Sequence, residues 1–173
     1  MQNLYQKLLE VEQLAKSSKT KRLFARPTYY IYGMLFSKCV YPFQKKGVWA
    51  NAETFFGKPM KVLLPSGLDI FLVKGKSHDS EIRLAKFILN YLSKGDTFID
   101  IGAHFGYFSL LASKIVGEQG NVFAYEASAN TFNVLQKNTE SEKNIQLFHR
   151  AIADKDNQKV HFFEFPKIGR AHV

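Results

Sequence analysis

Asp100, Gly102, Gly106 and Glu126 have the types and spacing to bind a ligand. In "FIDIGAHFGYF" (residues 98–108) an apolar run ends in Asp100 and glycines follow at 102 and 106. A carboxylate at a strand end, then glycines that allow a tight turn and close backbone approach, suits a ligand loop. The N–H groups of Phe105 to Phe108 would form a positive helix terminus, a place for a carboxylate or phosphate. Glu126 lies 20 residues after Gly106 and would accept the hydroxyls of a ribose. Ala103, His104 and Tyr107 belong to the same loop, and Ala127 follows Glu126. Such a ligand carries a ribose and an anionic end, as a dinucleotide and S-adenosylmethionine both do. The run is D-x-G-x-x-x-G rather than G-x-G-x-x-G, with His104 where the dinucleotide fingerprint needs its middle glycine. A side chain there crowds a pyrophosphate and leaves room for a carboxylate. The glycine pair alone is a weak signal whose default reading is a structural turn; with a strand before it, a helix after it and Glu126 in register, the ligand site is the preferred reading.

The flanking residues supply elements that would position the loop. "TFIDI" predicts a strand covered on both faces, "YFSLLASKIV" a helix stopped by Gly117, and "NVFAYEA" a second strand. "NTFNVLQKNTES" predicts a helix with Phe132 and Leu135 facing inward, "IQLFHRAIA" a third strand, "DKDN" a turn and "KVHFFEF" a fourth strand. Alternating strands and helices predict an α/β fold with a parallel, doubly wound sheet. Ahead of it, "HDSEIRLAKFILNYLSKGD" predicts a helix capped by Asp79 or Ser80, buried through Ile82, Ala85, Leu89 and Leu92, and ended by Gly95. "MKVLLPSGLDIFLVK" predicts two strands around a Pro-Ser-Gly turn. Leu4, Leu8, Val11 and Ala15 share one face of an N-terminal helix, and "KSSKTKR" predicts a basic linker. "PTYYIYGMLFSKCVYPF" is too short in its uncharged run to span a bilayer and predicts either a cap on the main domain, the preferred reading, or a bilayer-surface segment.

The segment "GDTFIDIGAHFGYFSLLASKIVGEQGNVFAYEAS" resembles the core of FkbM-family methyltransferases, class I enzymes that use S-adenosylmethionine. The likeness runs from about Tyr41 to Phe165 and is most specific at "DIGAHFGYFSLLA". It implies a Rossmann-like class I methyltransferase sheet behind an N-terminal helix and β-hairpin cap. It implies methyl transfer to a hydroxyl of a sugar or small natural product, so a small-molecule or glycan acceptor. It also implies that Glu81 can face the cofactor; a favourable charge on the first helical turn explains Glu81 equally well. Ala151 follows the third strand, where an adenine would lie. The family commonly has Asn at the position of His104, which leaves a contact from this side chain open. The family's next strand carries an acidic motif that this sequence does not reach, so no catalytic base is assigned.

Composition sets outer limits. Hydrophobic residues make up 46% of the 173, which excludes wholesale disorder. The single cysteine, Cys39, allows no internal disulfide; it points to a reducing, cytoplasmic setting and to a small buried apolar residue. His78, His149 and His161 lack metal-ligand spacing, so no metal site is expected. Residues 1–76 hold 13 Lys and Arg against 4 Asp and Glu, whereas residues 77–173 hold 11 of each. No Arg-rich run or recognition-helix pattern accompanies the charge, so a solvated basic surface is expected rather than a nucleic-acid site. Weak contact with an anionic membrane through Lys16 to Lys46 stays open. The sequence divides into a cap at 1–76, the first part of the cofactor domain at 77–167, and a non-native tail at 168–173. "IGRAHV" at 168–173 is what adapter-like DNA encodes, so a sheet incomplete on its C-terminal side, and a poorly soluble, inactive fragment, are expected. Two other classes stay open: an NAD-dependent oxidoreductase and a non-catalytic membrane-surface module.

Overall fold

The computed structural model describes residues 2–155 and the short stretches 163–164 and 171–172. The chain divides into two units, residues 1–91 and 92–173.

In the first unit, α1 (Gln2–Lys16) buries Leu8 and Val11, as its stripe predicts. "KSSKTKR" is not a linker: Ser18 accepts the Lys21 N–H and caps α2 (Lys19–Ala25). α3 (Pro27–Leu35), a π-turn (Phe36–Val40) and α4 (Tyr41–Gln44) follow without a break. Tyr29 and Tyr32 pack on Phe71, with ring centroids 5.0 and 6.0 Å apart. Gly33 is buried there, where an added Cβ would stand 2.8 Å from Leu68 Cδ1. Cys39 is exposed, not buried.

The hairpin differs from expectation. Its arms are β1 (Val48–Glu53) and β2 (Pro59–Leu64), paired antiparallel from Val48 opposite Leu64 to Glu53 opposite Pro59. The turn is closed by Thr54, whose hydroxyl donates to the Lys58 carbonyl at 2.9 Å. The expected second arm, Leu68–Val73, is helix α5 with Ile70, Phe71, Leu72 and Val73 all buried. A six-residue apolar run fits a buried strand and a buried helical turn equally, and tertiary contacts decide. α6 (Asp79–Tyr91) buries Ile82, Ala85, Ile88 and Leu89. The carbonyl of His78, rather than a side chain of Asp79 or Ser80, accepts from its first turn. The helix ends at Tyr91, before Gly95, so Leu92 lies outside it.

The second unit holds a three-stranded sheet in the order β3-β4-β5 (Thr97–Ile101, Asn121–Tyr125, Ile145–Phe148), all parallel. Helix α7 (Tyr107–Val116) joins the first pair of strands and α8 (Ala129–Thr139) the second. This is the α/β, Rossmann-like arrangement the alternating pattern predicts. Leu111, Ala112, Val116 and Val122 are wholly buried between helix and sheet, as are Ala124 and Leu135. α7 stops at Gly117, and Asn144 donates to the carbonyls of Ser113 and Gly117 at 3.2 and 2.8 Å, satisfying the helix end. Two expectations fail here. β3 is not covered on both faces: Ile99 and Ile101 are 58% and 65% exposed, because α7 and α8 both pack on the opposite face, that of Phe98, Val122 and Ala124. Among the described residues β3 also pairs along one side only. The third strand stops at Phe148, leaving His149–Ala153 outside it. Of the expected fourth strand, Phe163–Glu164 forms β6, paired antiparallel with β7 (Ala171–His172). Residues 156–162, 165–170 and 173 lie outside the described residues, and with them His161, most of the tail and half of the "DKDN" turn.

Candidate functional site

Parallel pairing puts Ile101 opposite Tyr125, so the loop after β3 and the segment after β4 leave the sheet together. Strand-end loops of this kind form the ligand crevice of doubly wound sheets. Asp100, Gly102, Ala103, His104, Gly106, Tyr107, Glu126 and Ala127 all gather at this end of the second unit.

The loop is tied to β4 through its amides. The Tyr125 carbonyl accepts from the N–H groups of Gly102 and Ala103, both at 2.9 Å. The Glu126 carboxylate, itself buried, accepts the His104 N–H on Oε2 and the Ser128 N–H on Oε1, each at 2.9 Å. The Gly106 N–H donates to the Ala103 carbonyl at 2.8 Å. Four loop donors are therefore spent inside the protein. Of the amides expected at the helix terminus, Phe105 to Phe108, that of Gly106 is engaged within the loop, and the residues Phe105 and Tyr107 are buried.

The helix terminus already has an anion. Asp100 accepts the Ser109 hydroxyl at 2.6 Å and the Ser109 backbone N–H. A carboxylate over the first turn of α7 answers the helix dipole from within the fold. Burial pushes the Asp100 carboxyl above its ordinary 3.8, the Ser109 hydrogen bonds pull it down, and the Glu126 charge adds to the rise. A carboxyl raised in the folded state stabilises the fold while protonated, below 3.8, and that contribution is lost as pH rises through the folded value. Asp100→Asn is therefore expected to flatten the pH dependence of stability above pH 3.8, seen as closer urea midpoints across that range than in the parent. An unchanged profile would show that Asp100 has no raised carboxyl.

The two glycines do different jobs. Both have positive φ, +78° at Gly102 and +88° at Gly106. A Cβ on Gly106 would stand 2.7 Å from Leu135 Cδ1, so this glycine lets α7 approach α8 rather than a strand. A Cβ on Gly102 would meet nothing within 4 Å, so open space lies above it. His104 is left-handed too, at φ +53°, a conformation in which Asn and His are enriched among non-glycine residues.

Several residues were not anticipated. Ser109 and Ser128 hold the two carboxylates, Asn138 donates to the Phe105 carbonyl at 2.8 Å, and His149 stacks on Phe132 with Nε2 3.1 Å from the Ala127 carbonyl. The signal available for Ser109 and Asn138 was a polar side chain at a buried position of an apolar helix face. Two further anticipated residues take no part in these hydrogen bonds. Ala151 is exposed beyond the end of β5. Glu81 belongs to the first unit, where it pairs with Lys76 at 3.1 Å. Among the described residues no three His, Cys, Asp or Glu side chains group to hold a metal ion.

No family profile matches the chain, and no curated protein matches it. Solved structures do. A SAM-dependent methyltransferase from Aquifex aeolicus is 26% identical over 55% of this chain and 44% of its own, with a TM-score of 0.35. A SAM-dependent O-methyltransferase from Thermotoga maritima is 24% identical over 68% and 46%, with a TM-score of 0.41. Fibrillarin from Aeropyrum pernix, solved with natively bound S-adenosyl-L-methionine, is 20% identical over 35% and 26%, with a TM-score of 0.34. The chain spans less than half the length of each of these proteins.

Proposed function

We propose that the second unit binds S-adenosylmethionine and serves methyl transfer in the manner of the FkbM family, to a hydroxyl of a sugar or small natural product. The supporting observation is the charge and hydrogen-bond state of the strand-end site. Two carboxylates, Asp100 and Glu126, meet there, while the amides of Gly102, Ala103, His104 and Gly106 are already spent inside the protein. A ligand with two phosphate charges is repelled by that pair. S-adenosylmethionine brings a sulfonium and an ammonium against one carboxylate, together with two ribose hydroxyls. Each Glu126 oxygen receives one N–H and keeps acceptor capacity for a hydroxyl. The open space over Gly102 leaves room beside it.

When bound, the cofactor supplies an electrophilic methyl group. The chain's own residues hold and orient it: Glu126 the ribose, the Asp100–Ser109 pair the cationic end, and Gly102, Ala103, His104, Gly106 and Tyr107 the loop shape, with Ala127 and Ala151 toward the base. Glu81 joins this set only as an expectation of the resemblance. Transfer from a sulfonium depends on in-line positioning more than on acid–base assistance.

Titration calorimetry of the full chain with S-adenosylmethionine, S-adenosylhomocysteine and NAD tests the reading. The expected order has both adenosyl ligands binding at least tenfold more tightly than NAD. Tighter binding of NAD would replace the proposal with a nicotinamide-dependent one.

A further inference from the structure

We propose that the helical segment from Lys19 to Lys46 docks on an anionic lipid surface. Tyr29, Gly33 and Phe36 turn one side of the continuous helix from Pro27 to Gln44 into the first unit. The opposite side carries Ile31, Leu35, Cys39 and Phe43, spaced by four and all exposed, Phe43 at 86%. In an α-helix residues four apart drift by about 40°. The π-turn at Phe36–Val40 has more residues per turn and counters that drift, keeping the four near one ridge. Phe24 of α2 is a further exposed aromatic, at 83%. An apolar ridge of this size on a soluble face marks an interaction site.

The charges around the ridge name the partner. No Asp or Glu occurs between Glu12 and Glu53. Lys19, Lys21, Lys38, Lys45 and Lys46 are exposed, and among the described residues none meets a carboxylate. Arg26 is different: it donates to the Phe71 carbonyl at 2.8 Å and lies 3.7 Å over the Tyr29 ring, so it belongs to the scaffold. Aromatic and aliphatic side chains bordered by unpaired lysines fit the headgroup boundary of an anionic bilayer, with the helix lying in the interface plane. No helix among the described residues is long and apolar enough to cross a membrane.

Vesicle sedimentation with the full chain decides the matter. Binding is expected to phosphatidylglycerol–phosphatidylcholine vesicles in 50 mM salt, to be weak on pure phosphatidylcholine, and to fall at least tenfold in 0.5 M salt. Each lysine near the surface contributes about fivefold, so Lys38→Glu, Lys45→Glu and Lys46→Glu together should weaken binding about a hundredfold or more. Leu35→Ser with Phe43→Ser should weaken it about tenfold or more without altering the thermal transition, since both side chains are exposed. No binding to the anionic vesicles at low salt would overturn the proposal. So would a dimer in sedimentation equilibrium that Leu35→Ser and Phe43→Ser abolish while vesicle binding persists, because the ridge would then belong to a second copy.

Discussion

Glu126→Ala is expected to weaken S-adenosylmethionine binding at least tenfold and to lower the unfolding free energy by about 2–4 kcal/mol. Two effects combine. The carboxylate is the acceptor for the His104 and Ser128 N–H groups, and its removal orphans both. Each buried donor left unsatisfied costs about 1–3 kcal/mol, with the His104 side of the site partly open to water. The second effect is loss of the proposed ribose acceptor. Glu126→Gln separates the two. It keeps the volume and one accepting oxygen, so it should stay folded at low temperature while presenting an amide to the ribose in place of one acceptor. An unchanged dissociation constant in folded Glu126→Gln would reduce Glu126 to a clasp between β4, the glycine loop and α8.

Gly106→Ala is expected to destabilise by about 2–5 kcal/mol, and Gly102→Ala by only about 1–2. The left-handed conformation costs an alanine about 1–2 kcal/mol at either position. Only Gly106 adds a collision, with Leu135, whose side chain is fully buried and cannot swing away. Ligand binding should invert the ranking on a per-kcal basis. A methyl group on Gly102 enters the open space beside Glu126, so binding should fall although most of the stability remains. Equal losses of stability in the two variants, by urea denaturation, would show that the α7–α8 approach does not depend on glycine.

The parallel core was legible because its period switches at clear punctuation. Gly117 stops α7, and each strand is a short β-rich run; the Ser128 cap of α8 was not read in advance. The first unit was harder for reasons visible in particular residues. Leu68–Val73 is a uniform apolar run with no period to show whether it is strand or helix. Val48–Glu53 contains Ala-Asn-Ala, poor strand formers that pair only because β2 lies alongside. In "KSSKTKR" the polarity hid a helix that Ser18 starts. At the site the residue types were legible and their bonds were not. The Tyr125 carbonyl takes up the Gly102 and Ala103 amides because of the β3–β4 register, and Asp100 meets Ser109 because α7 folds back over the strand end. Both are properties of three-dimensional placement with no local signature.

The edge position of β3 has a consequence for behaviour at high concentration. Among the described residues β3 pairs along one side only, and natural sheets guard such edges with a charge. Asp100 does not supply one for the isoleucines: successive side chains of a strand point to opposite faces, and Asp100 is engaged by Ser109 of α7 on the face away from Ile99 and Ile101. Self-association through that apolar face should therefore grow with protein concentration and respond little to pH or salt, with turbidity appearing while the circular dichroism is still native.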